Sequence, residues 1–523
     1  MRLLPLVLIL LLGLGLRSLH FTAPLADAHR WRQTDNATVA FNLAFDRFNI
    51  FQPQVNWGGP GDAAVEMEFP VLPAIVAVLY RLFGDSHLWG RATVIAFSLG
   101  TIGLIYCIAR RLFGEPEARG AAFLFAISPA AVFFGRAFIV DTPTVFLSAA
   151  AILAFLTYVD DDNPRAAAIG VVCLALAWMA KLPALLTLGP VAYIGLRSRG
   201  FRVFRDPWFV GGIAFALVAT AAWYWHANNI YLRTGLTVGI WRGAGTYPPA
   251  LEHLTGPTST FTGWSTLEML SGWEFYDLLL ERFWKLHLTP IGSVLSVAGL
   301  GLAIGRARAD IVFVWLAAAL SFVIVVGQGN LNHEYYQLPV LPPLALFFGI
   351  AAAPVFGEQV WRPMIASTFK RRAAVTVAAS AIVGLALLGF RDSSIVRDFF
   401  RPDWLDMLPV EVGEAVEQST PPDASFVVVE HVDTVNAANS PMLLYHARRR
   451  GWTFDLVSLT PAVVHALAER GADYFLTTVW SDLEARQPEV ARMLARHEEV
   501  PLEQAPPDTR MFRLTNPAAP TAH

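Results

Sequence analysis

Long apolar runs, separated by short arginine-bearing connectors, dominate the chain from its first residues to about 390. Runs long enough to cross a bilayer lie at 3–20, 89–112, 119–136, 143–159, 165–181, 183–197, 208–226, 289–305, 310–327, 338–356 and 373–390. They predict a polytopic α-helical membrane protein with about eleven transmembrane helices. Between the fifth and sixth spans the only hinge is Lys181-Leu182-Pro183. The run 71–83 is too short to span and ends Tyr80-Arg81-Leu82-Phe83-Gly84, which suits a helix lying in the interface. Leu3 to Leu16 imitates a signal peptide, with Ala26-Asp27-Ala28 as a cleavage-like site. The long stretch after Arg17 and the many later spans favour a retained first helix.

Arginine placement sets the expected orientation. Arg110, Arg111, Arg119, Arg165, Arg197, Arg199, Arg202, Arg205, Arg306, Arg308 and Lys370-Arg371-Arg372 all fall on one side if the N-terminus is cytoplasmic. The opposite face then receives the 17–88 loop, the 135–143 turn, a long 227–288 loop, the 328–337 turn and the C-terminus. This places the protein in a cell (inner) membrane.

Beyond 391 the pattern changes from spans to alternating strands and helices. Phe426 to Val429 reads as a buried strand, Thr460-Pro461 as the cap of a helix from Ala462 to Arg470, and Asp473 to Thr477 as a second strand. A helix across 482–495 and a strand near Met511 to Leu514 complete a small extracytoplasmic α/β domain, 391–523, beside a core of 1–390.

Composition agrees: 55% of the 523 residues are hydrophobic and 15% charged, a balance that excludes an ordinary soluble enzyme. The net charge of −3 says little, because charge is distributed by loop. Nothing points to nucleic acid as a partner. Lysine occurs only at Lys181, Lys285 and Lys370 among abundant arginines, which points to a GC-rich, bacterial coding sequence. Cys107 and Cys173 sit inside apolar runs and imply neither a disulfide nor a zinc site.

The candidate chemistry gathers on the predicted outer face. The first loop carries His29-Arg30-Trp31-Arg32-Gln33-Thr34-Asp35-Asn36 and closes at Glu66-Met67-Glu68-Phe69-Pro70. Polar groups at that depth are costly unless they bind something. Asp35 begins an amphipathic helix with an apolar stripe of Ala37, Phe41, Ala44, Phe45 and Phe48, with Asn42, Asp46 and Arg47 opposite. Thr34 or Asp35 fits an N-cap equally well as a base beside Arg30 and Arg32. Asp141, followed by Thr142-Pro143, stands at a second helix start next to Arg136. Two acids at two helix N-termini also suggest a place for an anion. Glu68 fits a solvated loop acid, and Lys181 a snorkelling cation at a helix end. His333-Glu334-Tyr335-Tyr336 opens the tenth span, where tyrosines alone fit an aromatic belt. No zinc signature or Gly-rich nucleotide loop is present.

In their order these features resemble the polytopic C-type (GT-C) glycosyltransferases that use polyprenyl-phosphate sugars. They are most similar to bacterial relatives of the protein O-mannosyltransferases and lipid A aminoarabinose transferases. The landmarks are Asp35, Pro70 before the helix ending Leu82-Phe83-Gly84, Ala109 to Gly114, Arg136 to Pro143, Ala180-Lys181, and Tyr335 to Pro339. Two departures stand out. The family's first acidic pair is often Asp-Glu, here Asp35-Asn36; and Glu68-Phe69-Pro70-Val71 replaces the Lys-Pro-Pro-Leu of the aminoarabinose transferases.

The resemblance implies transfer of a sugar from a polyprenyl phosphate to a hydroxyl of a glycolipid, protein or polysaccharide, with inversion. It assigns Asp35 as general base and Asp141 as an orienting or assisting acid. Arg30, Arg32, Glu68, Arg136, Lys181, His333, Glu334 and Tyr335 are the substrate-binding candidates. No cofactor is called for by a motif, and a divalent metal stays open. The rival readings are a transporter or flippase of lipid-linked saccharides, and an outer-face assembly module working through its tail. A transferase is expected to keep its chemistry when residues beyond 391 are removed.

Overall fold

The computed structural model describes residues 3–240, 265–357, 405–431, 440–503 and 505–514, with scattered positions between 377 and 401. The predicted span 373–390 lies mostly outside these residues, as does 241–264 of the predicted 227–288 loop.

The chain opens with α1 (Leu4–Arg17), α2 (Arg30–Phe45), α3 (Val71–Phe83), α4 (His87–Leu112), α5 (Glu115–Ile127) and α6 (Pro129–Phe133). It continues through α7 (Asp141–Asp161), α8 (Pro164–Ala180), α9 (Leu188–Arg199) and α10 (Ile213–Thr234). Later helices cover Leu267–Ser271, Trp273–Arg282, Thr289–Ala303, Ala309–Val325, Gly327–Asn332 and Leu341–Phe356, so most of 267–287 is helical. Among the described residues four helical stretches are long and apolar enough to cross a membrane: His87–Leu112, Asp141–Asp161, Trp208–Thr234 and Glu334–Phe356. A fifth arises if Trp273–His287 and Thr289–Ala303, bent by 108°, count as one broken span. Thr289 takes φ +64° at that bend and Pro290 follows it, so a straight helix cannot continue there.

Contacts divide the chain into two compact units. One comprises Met1–Thr22, Leu88–Trp223 and Gly263–Trp404. In it α5 packs along Leu341–Phe356, and the backbones cross so closely that a Cβ on Gly349 would lie 2.3 Å from the Glu117 carbonyl oxygen. The predicted span 119–136 is not one helix. It breaks at Ser128-Pro129, where the proline has no N–H to donate and the Ser128 hydroxyl caps α6 instead. Arg17, fully buried, fills the break: it donates to the carbonyls of Ala126 (3.0 Å) and Phe125 (3.3 Å) and to Ser98 (2.7 Å). Leu8, Leu11, Ile169, Val172, Val218, Val294 and Val297 are exposed, an apolar surface suited to lipid.

The other unit comprises Ala23–His87, Tyr224–Thr262 and Leu405–His523. Here α2 packs on α3, a helix that covers the residues expected of the interfacial run. The C-terminal segment forms a five-stranded sheet in the order β2-β1-β3-β5-β4, from β1 (Ser425–His431), β2 (Arg450–Asp455), β3 (Tyr474–Thr477), β4 (Glu498–Glu499) and β5 (Arg510–Arg513). β1 is parallel to β2 and β3, and β5 runs antiparallel to β3. The Thr460-Pro461 cap stands as expected, with the Thr460 hydroxyl accepting from Val463 N–H. The helix expected over 482–495 is two, Trp480–Arg486 and Pro488–Leu494, because Pro488 interrupts the ladder.

Candidate active site

Asp35 does not begin its helix. α2 starts at Arg30 after His29, whose left-handed φ of +57° turns the chain, and no side chain caps it. Thr34 is no N-cap either: its hydroxyl donates back to the carbonyls of Arg30 and Trp31. The expected N-cap and helix-dipole roles therefore do not apply to Asp35. The amphipathic assignment also shifts. Asn42 is buried, tied to Gln54 and Asn56, whereas Phe45 and Phe48 are exposed.

What surrounds Asp35 is drier than the sequence suggests. The residue is 5% exposed, and its Oδ1 accepts the Trp57 indole N–H at 3.2 Å. Burial pushes its carboxyl up to about 7; Arg32 and the Trp57 N–H pull the other way, and Glu68 adds to the rise. Arg32 donates to the Val238 carbonyl at 3.3 Å, and Asn36 turns its amide back to the Arg32 carbonyl at 2.8 Å. Arg30 pairs with Asp406 at 2.8 Å. Glu68 is half-buried rather than solvated, and Glu66 is fully buried. The backbone of Glu66 is pinned on both sides by Leu236 and Val238.

In the other unit Asp141 opens α7 as expected. Its Oδ1 lies 2.5 Å from Lys181 Nζ, so Lys181 is drawn inward and does not snorkel. The same ammonium sits 4.2 Å from the Tyr336 ring centre and 5.1 Å from that of Tyr335. Asp141, Lys181 and Tyr336 line a cavity together with Thr144, Ser148, Thr187, Trp315 and Phe322. Tyr335 is buried and stacks on His333, which removes it from any surface belt. Glu334 pairs with Arg282 at 3.4 Å, and Arg282 also holds the Asn330 and Leu331 carbonyls. Arg136 is buried between the rings of Phe133 and Phe400, about 5 Å from each.

Asp141, Lys181 and Tyr335, separate candidates in the sequence, stand together in the structure, whereas Trp57, Arg17 and Arg282 were not among the candidates. Trp57 sits in Trp57-Gly58-Gly59-Pro60, which signals a turn but not a hydrogen bond to a distant carboxylate. Among the described residues no group of three or more His, Cys, Asp or Glu is arranged to hold a metal ion.

Residues 67–226 match the family model described as dolichyl-phosphate-mannose-protein mannosyltransferase. Over nearly its whole length the chain shares its fold with two solved enzymes. ArnT from Cupriavidus metallidurans, solved bound to undecaprenyl phosphate, superposes with a TM-score of 0.62 at 15% identity, covering 98% of this chain and 99% of ArnT. The archaeal oligosaccharyltransferase AglB from Archaeoglobus fulgidus, solved with an inhibitory peptide and a dolichol-phosphate, gives 0.56 at 12% identity, covering 98% of this chain and 76% of AglB. No curated protein matches significantly by sequence. With this fold and its several apolar helices, the chain is a multi-pass membrane protein.

Proposed function

We propose that this protein is an inverting membrane glycosyltransferase. It moves a sugar from a polyprenyl phosphate to an acceptor hydroxyl on the extracytoplasmic face of a bacterial inner membrane. The observation that carries the reading is Asp35, a buried carboxyl pushed up to about 7 and held by one indole N–H. A base with that pKa combines availability at neutral pH with driving force for proton transfer. The acceptor oxygen attacks the anomeric carbon while Asp35 takes its proton. The bond from that carbon to the phosphate oxygen breaks, and the polyprenyl phosphate leaves with the electron pair. Arg32, beside Asp35, supplies positive charge to the developing anion. Asp141, whose Oδ1 is already engaged by Lys181 at 2.5 Å, is not the base in this reading. The family match over 67–226 and the fold shared with ArnT and AglB support the substrate class.

The test compares cell-envelope glycans by mass spectrometry in cells with the protein, without it, and with Asp35→Asn at equal membrane levels. One sugar residue is expected to disappear in the last two. Unchanged glycans without the protein end the transferase reading, and an intact glycan with Asp35→Asn ends the base assignment.

A further inference from the structure

The segment that carries Trp57 is held from two sides. Asn42 lies on α2 seven residues after Asp35, two turns along the same face. It donates its amide to the Gln54 carbonyl (2.9 Å) and to Asn56 Oδ1 (3.0 Å). On the other side stands the C-terminal sheet, where β2 is an edge strand. Gly451 in β2 donates its N–H to the Asn56 carbonyl at 2.9 Å and accepts from the Gly59 N–H at 2.7 Å. The approach leaves no room for side chains. A Cβ on Gly59, already at φ +91°, would lie 2.6 Å from the Trp452 ring. Trp57, two per cent exposed, is thus fixed between α2 and the sheet with its indole N–H on Asp35.

We infer that Trp57 is a positioning residue for Asp35, and that the C-terminal sheet holds it there through the backbone of Gly451. The inference rests on Asp35 as the base. An indole donor on Oδ1 fixes the carboxylate plane and leaves Oδ2 to receive a proton; a misplacement of about 1 Å in such a group can cost on the order of 100-fold in rate. The C-terminal domain then belongs to the reaction machinery of the first outer loop. The expectation that a transferase keeps its chemistry without residues beyond 391 is reversed: removing them frees the Asn56 and Gly59 backbone from Gly451.

Infrared titration of the protonated carboxyl band reads the geometry without a substrate. The band of Asp35 is assigned by its loss in Asp35→Asn. The charged groups facing it, Arg32 and Glu68, are unchanged in all variants. Trp57→Phe keeps a buried ring and removes the donor, and its midpoint is expected to rise from about 7 by about one pH unit. Gly59→Ala, which pushes the segment off Trp452, is expected to shift the midpoint the same way, with thermal unfolding confirming that both variants fold. An unmoved midpoint in Trp57→Phe overturns the positioning role. A shift in Trp57→Phe without one in Gly59→Ala overturns the role of the sheet. Neither result touches the glycan test, so failure here and failure of the base assignment are told apart.

Discussion

Lys181 Nζ lies 2.5 Å from Asp141 Oδ1 and 4.2 Å from the centre of the Tyr336 ring, so one ammonium joins α7, the end of α8 and the turn before Leu341–Phe356. Both side chains are close to buried, at 11% and 6% exposure. Removing one partner of such a pair costs about 3–5 kcal/mol, because the other charge is left without compensation. Lys181→Met is therefore expected to lower the unfolding midpoint in detergent strongly. The double variant Lys181→Met with Asp141→Leu should recover most of that loss. A double variant no more stable than the single one would show that the ion pair is not the source.

The elevated carboxyl of Asp35 gives the reaction a pH signature. Transfer should rise as pH passes through about 7, because only the ionised form accepts a proton. Stability runs the other way. The folded carboxyl keeps its proton to about 7 while the unfolded one loses it near 4, so this group makes folding less favourable as pH climbs between those values. Asp35→Asn is expected to cost about 10²–10⁴-fold in turnover yet to unfold no earlier than the parent at pH 8. Initial rates from pH 5 to 9 and thermal melts at pH 5 and 8 check both halves.

Glu430, at the end of β1, obeys the same arithmetic with no reaction to serve. Burial pushes its carboxyl up to about 7, against the smaller influence of Ser440, with Asp406 adding to the rise and Arg30 opposing it. Glu430→Gln should be nearly neutral at pH 5 and stabilising at pH 8, read from the melting of the purified protein. Equal effects at the two pH values would contradict a carboxyl that titrates near 7.

Arg17 offers a test of the break between α5 and α6. Arg17→Met removes the donors to the Phe125 and Ala126 carbonyls and to Ser98 while keeping a long apolar stem. Each buried polar group left without a partner costs about 1–3 kcal/mol. The variant is expected to accumulate at a lower level in membranes and to melt earlier. Normal level and melting would mean that water or lipid headgroups replace the guanidinium.

Much of the architecture was legible where local pattern and packing agree. The apolar run at 71–83, the Asp141-Thr142-Pro143 helix start, the valines of β1 and the Thr460-Pro461 cap all became the elements their residues favour. Pro129 and Pro488 were visible in the chain and still passed over as helix breaks, because apolar continuity outweighed them. β2 was missed for a different reason. Arg450-Gly451-Trp452-Thr453-Phe454-Asp455 alternates only over its last four residues and opens on arginine and glycine, and it becomes a strand through its pairing with β1. The setting of Asp35 was least legible: Trp57, Val238 and Gly451 come from three separated stretches, and no periodicity in one stretch reports on another.

The strand order of the C-terminal sheet bears on the solubility of its margins. At one margin the Gly451 amide and carbonyl are already engaged by Gly59 and Asn56; at the other, β4 is only Glu498-Glu499, two exposed acids paired to Arg513 and Arg510. Neither rim offers a long apolar template on which a neighbouring molecule could lay down a further strand. Crowded copies in one bilayer are thereby kept from zipping together through their sheets.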